Sequence, residues 1–422
     1  MRKGIILITK HFPFNKGETP AESYLENEII TLAKHTEKVF VIATEAKSGS
    51  HVTCELPQNV QAAALQTKDS KSIKMSCFAK SAGMFFSKKS SEITDEIKSR
   101  KLNAKQKAFL FYFKKRAEQK LFCVSKLIES KAINLNDYDA IYSFWLFDSA
   151  YMAVMLKEKY QLNNYVVVSR THRYDLYEYN NKLKYIPLRP YLLEKLDGVF
   201  PCSDNGTKYL SERYPNFKNK IQTSFLGSKD YGVQNYKHIG NKLHIASCSR
   251  LISVKRVNRI VDALSKLEKE PFEVEWTHFG GGALFDELKN QVNTSLKKTK
   301  VNLMGNTENK EVMRQYSKMI VDVFVNVSEN EGLPISIMEA TSFGIPVIAT
   351  DVGGTSEIVR QGENGFLLKK DYTDDELCEL LCKFAYMSKE EYLPFRENSR
   401  KIYEENFECV HNIEQFLLKI GG

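Results

Sequence analysis

Short, continuous apolar runs alternate with segments of helical periodicity along most of this chain. In the first half the predicted strands are Gly4–Thr9, Val39–Thr44, Ala140–Ser143, Tyr165–Ser169, Gly198–Cys202 and Ile221–Phe225. In the second half they are Leu243–Ser247, Glu273–Phe279, Val301–Met304, Val321–Val325, Pro346–Thr350 and Phe366–Leu367. Apolar strands separated by helices are typical of a parallel sheet covered on both faces. The pattern therefore predicts an α/β fold.

A polar, glycine-containing stretch at about 227–241 separates the two series of strands and helices. The chain has 422 residues, of which 42% are hydrophobic, enough for a core in each of two domains. We predict two doubly wound, Rossmann-like domains facing a cleft, over 1–228 and 242–405, followed by a final helix within 406–422. Ligands of such sheets bind at the carboxyl ends of the strands, so the cleft is the predicted site.

The positive charge of the chain is concentrated in one segment. Lys and Arg together number 61 against 52 Asp and Glu, and residues 66–130 alone carry 16 basic and 6 acidic residues. Bulky apolar residues are interleaved with them, as in Phe109–Phe113. This basic helical insertion could lie on an anionic membrane surface, or its phenylalanines could pack on the domain while its lysines face water. Both alternatives stay open, and no recognised nucleic-acid-binding module accompanies the charge.

Several classes of protein are disfavoured by composition. The eight cysteines form no CxxC pair and no metal-like cluster, which is typical of thiols in a reducing compartment. No run of 18 apolar residues occurs, and the first nine residues are too short for the apolar region of a signal peptide. We expect a cytoplasmic protein, lying peripherally on the inner face of the cell membrane. The loop after the opening strand lacks GxGxxG, which argues against a dinucleotide-dependent oxidoreductase.

The densest chemical signal lies between Ser328 and Gly365. A predicted strand ends in a loop with Glu331, Gly332 and Leu333, and Pro334 stands at a helix start. The free N–H groups of that helix end are suited to a diphosphate. The carboxylates of Glu331 and Glu339 would repel phosphates, but they can accept hydrogen bonds from hydroxyl groups. A nucleotide sugar has hydroxyls on both sides of its diphosphate, so it fits this arrangement.

Two cations upstream complete this picture. Arg250 follows the strand Leu243–Ser247, and Lys255 lies five residues further on. A guanidinium and an ammonium can neutralise a departing diphosphate without a metal. We therefore expect no metal and no cofactor, the nucleotide sugar being a substrate.

These residues resemble the C-terminal domain of the family-four retaining glycosyltransferases of the GT-B fold, whose hallmark is two glutamates separated by seven residues. The resemblance implies that Glu331 holds the donor sugar and Glu339 the ribose, while Arg250 and Lys255 hold the phosphates. It further implies that 242–405 binds the nucleotide sugar, that 1–228 binds the acceptor, and that the last helix crosses back to the N-terminal domain. Gly281 stands where many members of the family carry an acid.

The N-terminal half contributes further candidates. Gly17, in the loop His11–Thr19, permits close approach of a ligand. His172, just past the strand Tyr165–Ser169, matches the active-site histidine that faces the donor sugar in the family. Arg170 and Asp175, on either side of it, are candidates for the acceptor or for supporting contacts.

The function that follows from the resemblance is retaining transfer of a sugar from a UDP- or GDP-linked donor to a glycan or lipid-diphosphate-linked acceptor. Bacterial capsule, exopolysaccharide or O-antigen assembly is the analogous setting. A phosphorylase or nucleotide-sugar epimerase of the same fold is an alternative, and so is a non-catalytic protein that binds nucleotide sugars or membranes. The expected partners are the donor and the acceptor, with an anionic membrane surface as a further partner if 66–130 binds it; nucleic acid is not expected.

Overall fold

The computed structural model describes residues 2–16, 22, 24–65, 91–234 and 241–421. Its contacts divide the chain into two compact units. The N-terminal unit consists of Met1–Ser224 together with Ile413–Gly422, and the C-terminal unit consists of Phe225–Asn412. Gly17 and residues 66–90 of the basic insertion lie outside the described residues.

The N-terminal unit is built on a six-stranded parallel sheet in the order β5-β3-β1-β6-β7-β8. The strands of the unit are β1 Arg2–Thr9, β2 Phe14–Asn15, β3 Thr36–Ala43, β4 His51–Val52, β5 Val60–Ala64, β6 Ala140–Ser143, β7 Val166–Thr171 and β8 Gly198–Pro201, of which β2 and β4 form a separate pair. Its helices are α1 Leu25–His35, α2 Ser91–Ser99, α3 Ala104–Glu129, α4 Asp148–Lys159, α5 Arg173–Leu176, α6 Arg189–Lys195 and α7 Asp204–Arg213. The order reverses between β1 and β6, and in such sheets ligands bind at that point.

Two elements at the edges of this sheet differ from the sequence prediction. The strand β5, which was not predicted, pairs with β3 from Val60 to Ala64. The prediction of a strand over Ile221–Phe225 was wrong, because Ile221 makes only an isolated bridge to Val199.

The basic insertion is helical where it is described, and one face of it packs on the sheet. Leu110 and Phe113 of α3 belong to the same buried cluster as Ile6 and Ile8 of β1. Charged side chains of α3 are also engaged: Lys120 contacts both Glu45 and Asp148, at 3.1 and 3.0 Å. The described part of the insertion therefore adopts the packed alternative on its inner face.

The C-terminal unit repeats the same architecture, with six parallel strands in the order β11-β10-β9-β12-β13-β14. Its strands are β9 Lys242–Cys248, β10 Glu273–Phe279, β11 Lys300–Leu303, β12 Val323–Asn326, β13 Val347–Thr350 and β14 Gly365–Leu368. Its helices are α8 Asn258–Leu267, α9 Phe285–Ser295, α10 Asn309–Lys318, α11 Ile335–Ser342, α12 Thr355–Ile358, α13 Asp374–Tyr386 and α14 Lys389–Asn406. The order reverses between β9 and β12, which makes the ends of these two strands the expected binding edge.

The last helix, α15 Cys409–Lys419, ends within the N-terminal unit. The ring of Phe416 lies 4.8 Å from that of Tyr142 on β6 and 5.2 Å from that of Phe200 on β8. Its aromatic packing thus adds the end of the chain to the N-terminal core. No helix in the described part of the chain combines the length and the apolar character that a membrane crossing requires.

Candidate functional site

The two glutamates of the motif lie at the binding edge of the C-terminal sheet. The strand β12 runs into the loop that carries Glu331, and α11 begins at Ile335 after Pro334. The first turn of α11 contains no acidic residue, and no side chain caps it. Glu339, one turn further along α11, is buried. The helix end therefore keeps its positive dipole between the two carboxylates.

Glu331 is held by two side chains from other elements. The Lys255 ammonium lies 2.5 Å from Glu331 Oε1, and the Asn326 amide donates to the same oxygen at 3.4 Å. Lys255 sits in a single 3-10 turn, Ser253–Lys255, after β9. The structure thus pairs one predicted phosphate ligand with the predicted sugar ligand, which leaves the second carboxylate oxygen of Glu331 free of protein donors among the described residues.

The carboxylate of Glu339 has a single hydrogen-bond partner among the described residues. The side-chain amide of Asn309, the first residue of α10, donates to Glu339 Oε1 at 2.6 Å. Burial raises the pKa of Glu339 to about 7, and the bond from Asn309 opposes this rise. Asn309 was not among the predicted site residues, since nothing near it in the sequence relates it to Glu339.

The backbone around Arg250 is clamped by the glycine turn at 280–282. Gly280 has a φ of +129°, and a Cβ there would lie 1.9 Å from the carbonyl oxygen of Ser249. The amide of Leu251 donates to the Gly281 carbonyl at 2.8 Å. The Arg250 side chain itself is exposed and has no hydrogen bond or ion pair to any described residue. The turn therefore fixes the backbone that presents Arg250 to solvent.

A second close approach holds the glutamate loop. Gly353 has a φ of +62°, and a Cβ there would lie 2.2 Å from the carbonyl oxygen of Glu331. The amide of Gly354 donates to the Gly332 carbonyl at 2.7 Å. The turn after β13 therefore sets the course of the Glu331–Gly332 backbone, which only glycine at 353 permits.

In the N-terminal unit, His172 is buried among aromatic rings at the end of β7. Its ring lies 4.3 Å from that of Phe144 and 4.7 Å from that of Trp145. Neither ring nitrogen has a hydrogen-bond partner among the described residues. Burial, together with the charges of Arg170 and Lys10, lowers the pKa of His172 well below its usual value. The imidazole is therefore neutral at pH 7, with two ring nitrogens unpaired.

Asp175 and Arg170 are both buried, and each is bound by protein groups. Asp175 accepts from the amides of His172, at 2.7 Å, and Leu146, and burial raises its pKa to about 6. Arg170 donates to Glu28 at 3.1 Å and to Ser224 at 2.8 Å. The sequence suggested that these two residues either bind the acceptor or make supporting contacts. Their hydrogen bonds to protein groups fit the supporting role.

The structure adds a carboxylate that the sequence did not single out. Glu22 is buried and accepts from the amides of His11 and Phe12, at 2.7 and 2.8 Å. It also accepts from the indole of Trp145 at 2.5 Å. Glu22 therefore ties the loop after β1 to the loop after β6, 123 residues away, which no local sequence signal could reveal.

We expect the affinity for UDP or GDP to depend on pH through Glu339. Above pH 7 its carboxylate is charged and accepts more strongly from ribose hydroxyls, so binding should tighten about threefold to tenfold from pH 6 to pH 8. Glu339→Gln should lack this part of the pH dependence. Asn309→Ala removes a bond that lowers the pKa, so it should move the midpoint to higher pH. Titration calorimetry of the nucleotide across this range measures both effects.

The matched control is Asn302→Ala, which removes a similar amide-to-carboxylate bond, from Asn302 to Glu275 at 3.0 Å, elsewhere in the unit. Its midpoint should equal that of the unaltered protein. A pH profile that is the same in Glu339→Gln as in the unaltered protein would show that Glu339 does not titrate against the nucleotide.

Comparison with curated proteins relates the C-terminal unit to a known family. Residues 233–402 match the family described as Glycosyl transferases group 1. The GtfA subunit of the UDP-N-acetylglucosamine–peptide N-acetylglucosaminyltransferase of Streptococcus pneumoniae is 27% identical over 203 residues, 46% of this chain and 38% of that protein. The putative colanic acid biosynthesis glycosyltransferase WcaL of Escherichia coli is 23% identical over 53% of this chain and 56% of its own. The matches thus span about two-fifths to just over half of these relatives.

Solved structures resemble the whole chain. Sucrose-phosphate synthase from Thermosynechococcus elongatus matches 99% of this chain and 98% of its own, with a TM-score of 0.70 and 14% identity. HepE of Anabaena, solved in complex with UDP and glucose, matches 100% of both chains with a TM-score of 0.63 and 14% identity. At this identity the likeness concerns the fold, and it confirms the predicted GT-B class.

Proposed function

We propose that the chain transfers a sugar from a nucleotide-sugar donor to a hydroxyl group, with retention of configuration. The match of residues 233–402 to the family of glycosyl transferases group 1 supports this proposal. The observation that carries the proposal is the placement of Glu331 and Glu339 on either side of the start of α11. One carboxylate is bound by an ammonium and the other by an amide, so each is oriented at the binding edge.

We place the nucleotide sugar on the C-terminal unit. Glu339 would accept from the ribose hydroxyls and Glu331 from those of the sugar. The amide N–H groups of Gly332 and Leu333 and those at the start of α11 would donate to the diphosphate, while Pro334, which has no N–H, would fix the course of the loop. Arg250 is exposed and unpaired among the described residues, so its guanidinium is available to a phosphate. Lys255, already beside Glu331, would share its charge between that carboxylate and the departing diphosphate.

We propose a front-side displacement as the chemical step. The acceptor hydroxyl attacks the anomeric carbon from the side of the leaving group as the sugar–phosphate bond breaks, and a phosphate oxygen takes the hydroxyl proton. Arg250, Lys255 and the dipole of α11 stabilise the charge that develops on the diphosphate. The neutral His172, in the N-terminal unit, supplies an unpaired ring nitrogen for a sugar hydroxyl.

The acceptor in this proposal is a glycan or lipid-linked glycan of bacterial capsule, exopolysaccharide or O-antigen synthesis. The relation to WcaL, named for colanic acid biosynthesis, supports this setting. GtfA is named for a peptide acceptor, which is a different class of acceptor. The acceptor assays described below distinguish a peptide from a glycan.

Thermal shift with UDP- and GDP-sugars tests the proposal first, since a bound donor raises the melting temperature by mass action. Mass spectrometry of reactions with and without acceptor then identifies the product. Transfer with retained configuration is expected. Release of a sugar 1-phosphate in the presence of phosphate would indicate a phosphorylase, an isomeric nucleotide sugar would indicate an epimerase, and binding without turnover would indicate a non-catalytic protein.

We further propose that the outer face of α3 binds anionic membranes. Phe122 is 60% exposed, the ammonium of Lys126 lies 4.6 Å from its ring centroid, and Lys115 is exposed on the same helix. An exposed aromatic ring between lysines suits the boundary between lipid headgroups and acyl chains. The protein would then work at the inner face of the cell membrane.

Neutralising this face should weaken membrane binding. The double substitution Lys115→Gln and Lys126→Gln is expected to lower the affinity for phosphatidylserine-containing vesicles about thirtyfold, since each lysine near the surface contributes about 1 kcal/mol. Co-sedimentation with vesicles measures this. Lys266→Gln with Lys298→Gln, on the C-terminal unit, is the matched control and should pellet normally. Equal pelleting of both double variants would contradict the proposal.

A further inference from the structure

A tyrosine ring stands exposed at the carboxyl edge of the N-terminal sheet. Tyr174, two residues after His172, is 58% exposed. Its ring is nevertheless held by others: the ring of Phe147 lies 5.8 Å away, and that of Trp145 lies 6.4 Å away at an angle of 85°. One side of the ring is thus packed while much of it faces solvent. An aromatic ring fixed in this way is a preformed surface for a ligand, because little side-chain entropy remains to be lost on binding.

A cation lies between two of these rings. The ammonium of Lys10, at the end of β1, lies 4.3 Å from the ring centroid of Trp145 and 4.3 Å from that of Tyr174. It forms no salt bridge to any residue in the described ranges. The two rings stabilise its charge and fix its position. Lys10, Trp145, Phe147 and Tyr174 are called the aromatic platform below.

The aromatic platform adjoins the predicted active-site histidine. The ring of Trp145 contacts both parts, since it lies 4.7 Å from the ring of His172 and within reach of Lys10 and Tyr174. The residues come from the ends of β1, β6 and β7, three neighbouring strands. A group bound on Tyr174 would therefore lie beside the unpaired nitrogens of His172.

We propose that the aromatic platform is the acceptor subsite and that it binds an uncharged sugar ring. One face of a pyranose would stack on the ring of Tyr174, and its hydroxyl oxygens would accept from the ammonium of Lys10. The inference rests on the proposed function and adds to it the residues that bind the acceptor and that select an uncharged sugar ring.

The chemistry around the platform favours a neutral sugar over other acceptors. A pyranose has an apolar C–H face and a rim of hydroxyls, which match an aromatic ring and an ammonium. Small acyclic acceptors, such as malate and glycerol phosphate, have no apolar face of this kind. The cations around the platform are already engaged: Arg116 and Lys120 are paired with Glu45 and Asp148, and Lys10 lies against two rings. An anionic acceptor would therefore find no unpaired cation among these side chains.

Acceptor kinetics test the proposal directly. With the donor that the thermal-shift screen identifies, we would measure transfer to the methyl β-glycosides of glucose, galactose and N-acetylglucosamine, and to glycerol phosphate, malate and a serine-containing peptide. At least one pyranoside is expected to be the best acceptor. Tyr174→Ala should raise the KM for it at least tenfold, whereas Tyr174→Phe, which keeps the ring, should raise it less than threefold. Tyr386→Ala, a tyrosine that is 61% exposed on α13, is the matched control.

Tryptophan fluorescence provides a readout that does not depend on any variant of Tyr174. The chain has two tryptophans, and Trp276 is fully buried in the C-terminal unit while Trp145 belongs to the platform. Binding of a pyranoside should change the emission, and Trp145→Phe should abolish the change. The inference is overturned if a donor is hydrolysed but no pyranoside alters the emission or is glycosylated, or if Tyr174→Ala has an unchanged acceptor KM. Absence of donor hydrolysis and of all transfer would instead refute the proposed function.

Discussion

Lys255→Ala and Glu331→Ala are each expected to lower turnover at saturating donor by at least tenfold, about 1.4 kcal/mol of transition-state stabilisation. Removing Lys255 withdraws a positive charge from the departing diphosphate and also leaves Glu331, 2.5 Å away, without its ion-pair partner. Removing Glu331 takes away the carboxylate that accepts hydrogen bonds from the hydroxyls of the donor sugar. It also leaves the side chain of Lys255 free to move. Both substitutions remove stabilisation of the transition state, so kcat and kcat/KM should fall together.

The pairing of these two side chains predicts that their effects are not additive. In the double variant the fall should be smaller than the product of the two single falls, because each substitution already disturbs the other residue. Steady-state kinetics with the identified donor, on proteins shown to be folded by circular dichroism, provide the measurement. Lys266→Ala, which breaks the exposed ion pair with Asp375 in the same unit, is the control and should leave turnover unchanged. Near-full turnover in both single variants would refute the assignment of the site.

Arg170→Met is expected to destabilise the protein by about 3–5 kcal/mol, the usual cost of removing one partner of a buried ion pair. The guanidinium is fully buried, and it donates to Glu28 at 3.1 Å and to Ser224 at 2.8 Å. Without it, Glu28 keeps only the hydroxyl of Tyr142, at 2.9 Å, among the described side chains. A buried carboxylate with one neutral donor is poorly stabilised, so folding should suffer far more than substrate binding.

The loss of stability in Arg170→Met should also depend on pH, in a direction that the pKa of Glu28 determines. Burial already raises the pKa of Glu28, although Arg170 and the bond from Tyr142 oppose the rise. Substituting Arg170 raises it further, and a carboxyl whose pKa is higher in the folded than in the unfolded state loses stability as the pH rises. Guanidinium denaturation should therefore show a larger deficit at pH 8 than at pH 5.

A second substitution separates this structural role from acceptor binding. Arg170→Met combined with Glu28→Gln removes the unpaired charge and should recover a large part of the lost stability. If Arg170→Met instead unfolds like the unaltered protein at both pH values and only raises the KM for the acceptor, Arg170 contacts the acceptor, as the sequence allowed.

The strands were predictable wherever a run of apolar residues is buried from both faces of the sheet. The predicted bounds of β6 and β10, Ala140–Ser143 and Glu273–Phe279, coincide with the observed ones. The edge was not predictable in this way. Val60–Ala64 has little apolar signal and becomes a strand because β3 offers it hydrogen bonds. The segment Ile221–Phe225 donates to β8 from Gln222 and Ser224 but forms only an isolated bridge, at Ile221. Edge pairing depends on the neighbouring strand more than on local sequence.

Arg170 shows how the position at which a strand ends changes the role assigned to a residue. The predicted strand ended at Ser169, which placed Arg170 in a loop beside His172. The observed β7 continues to Thr171, and within it the side chain of Arg170 turns into the packed interior, where Glu28 binds it. Because side chains alternate between the faces of a sheet, the exact end of a strand decides whether a residue meets substrate or core.

Local spacing was enough to predict a site in the C-terminal unit: the prediction used two glutamates around a helix start, with Arg250 and Lys255 upstream, and required no knowledge of distant contacts. What folding alone revealed are the partners of these groups. Lys255 with Glu331, Asn309 with Glu339 and Glu22 with Trp145 are separated by 76, 30 and 123 positions. Residues so far apart come into contact because parallel strands bring their carboxyl ends to one edge of the sheet. Their separation in the sequence does not predict these contacts.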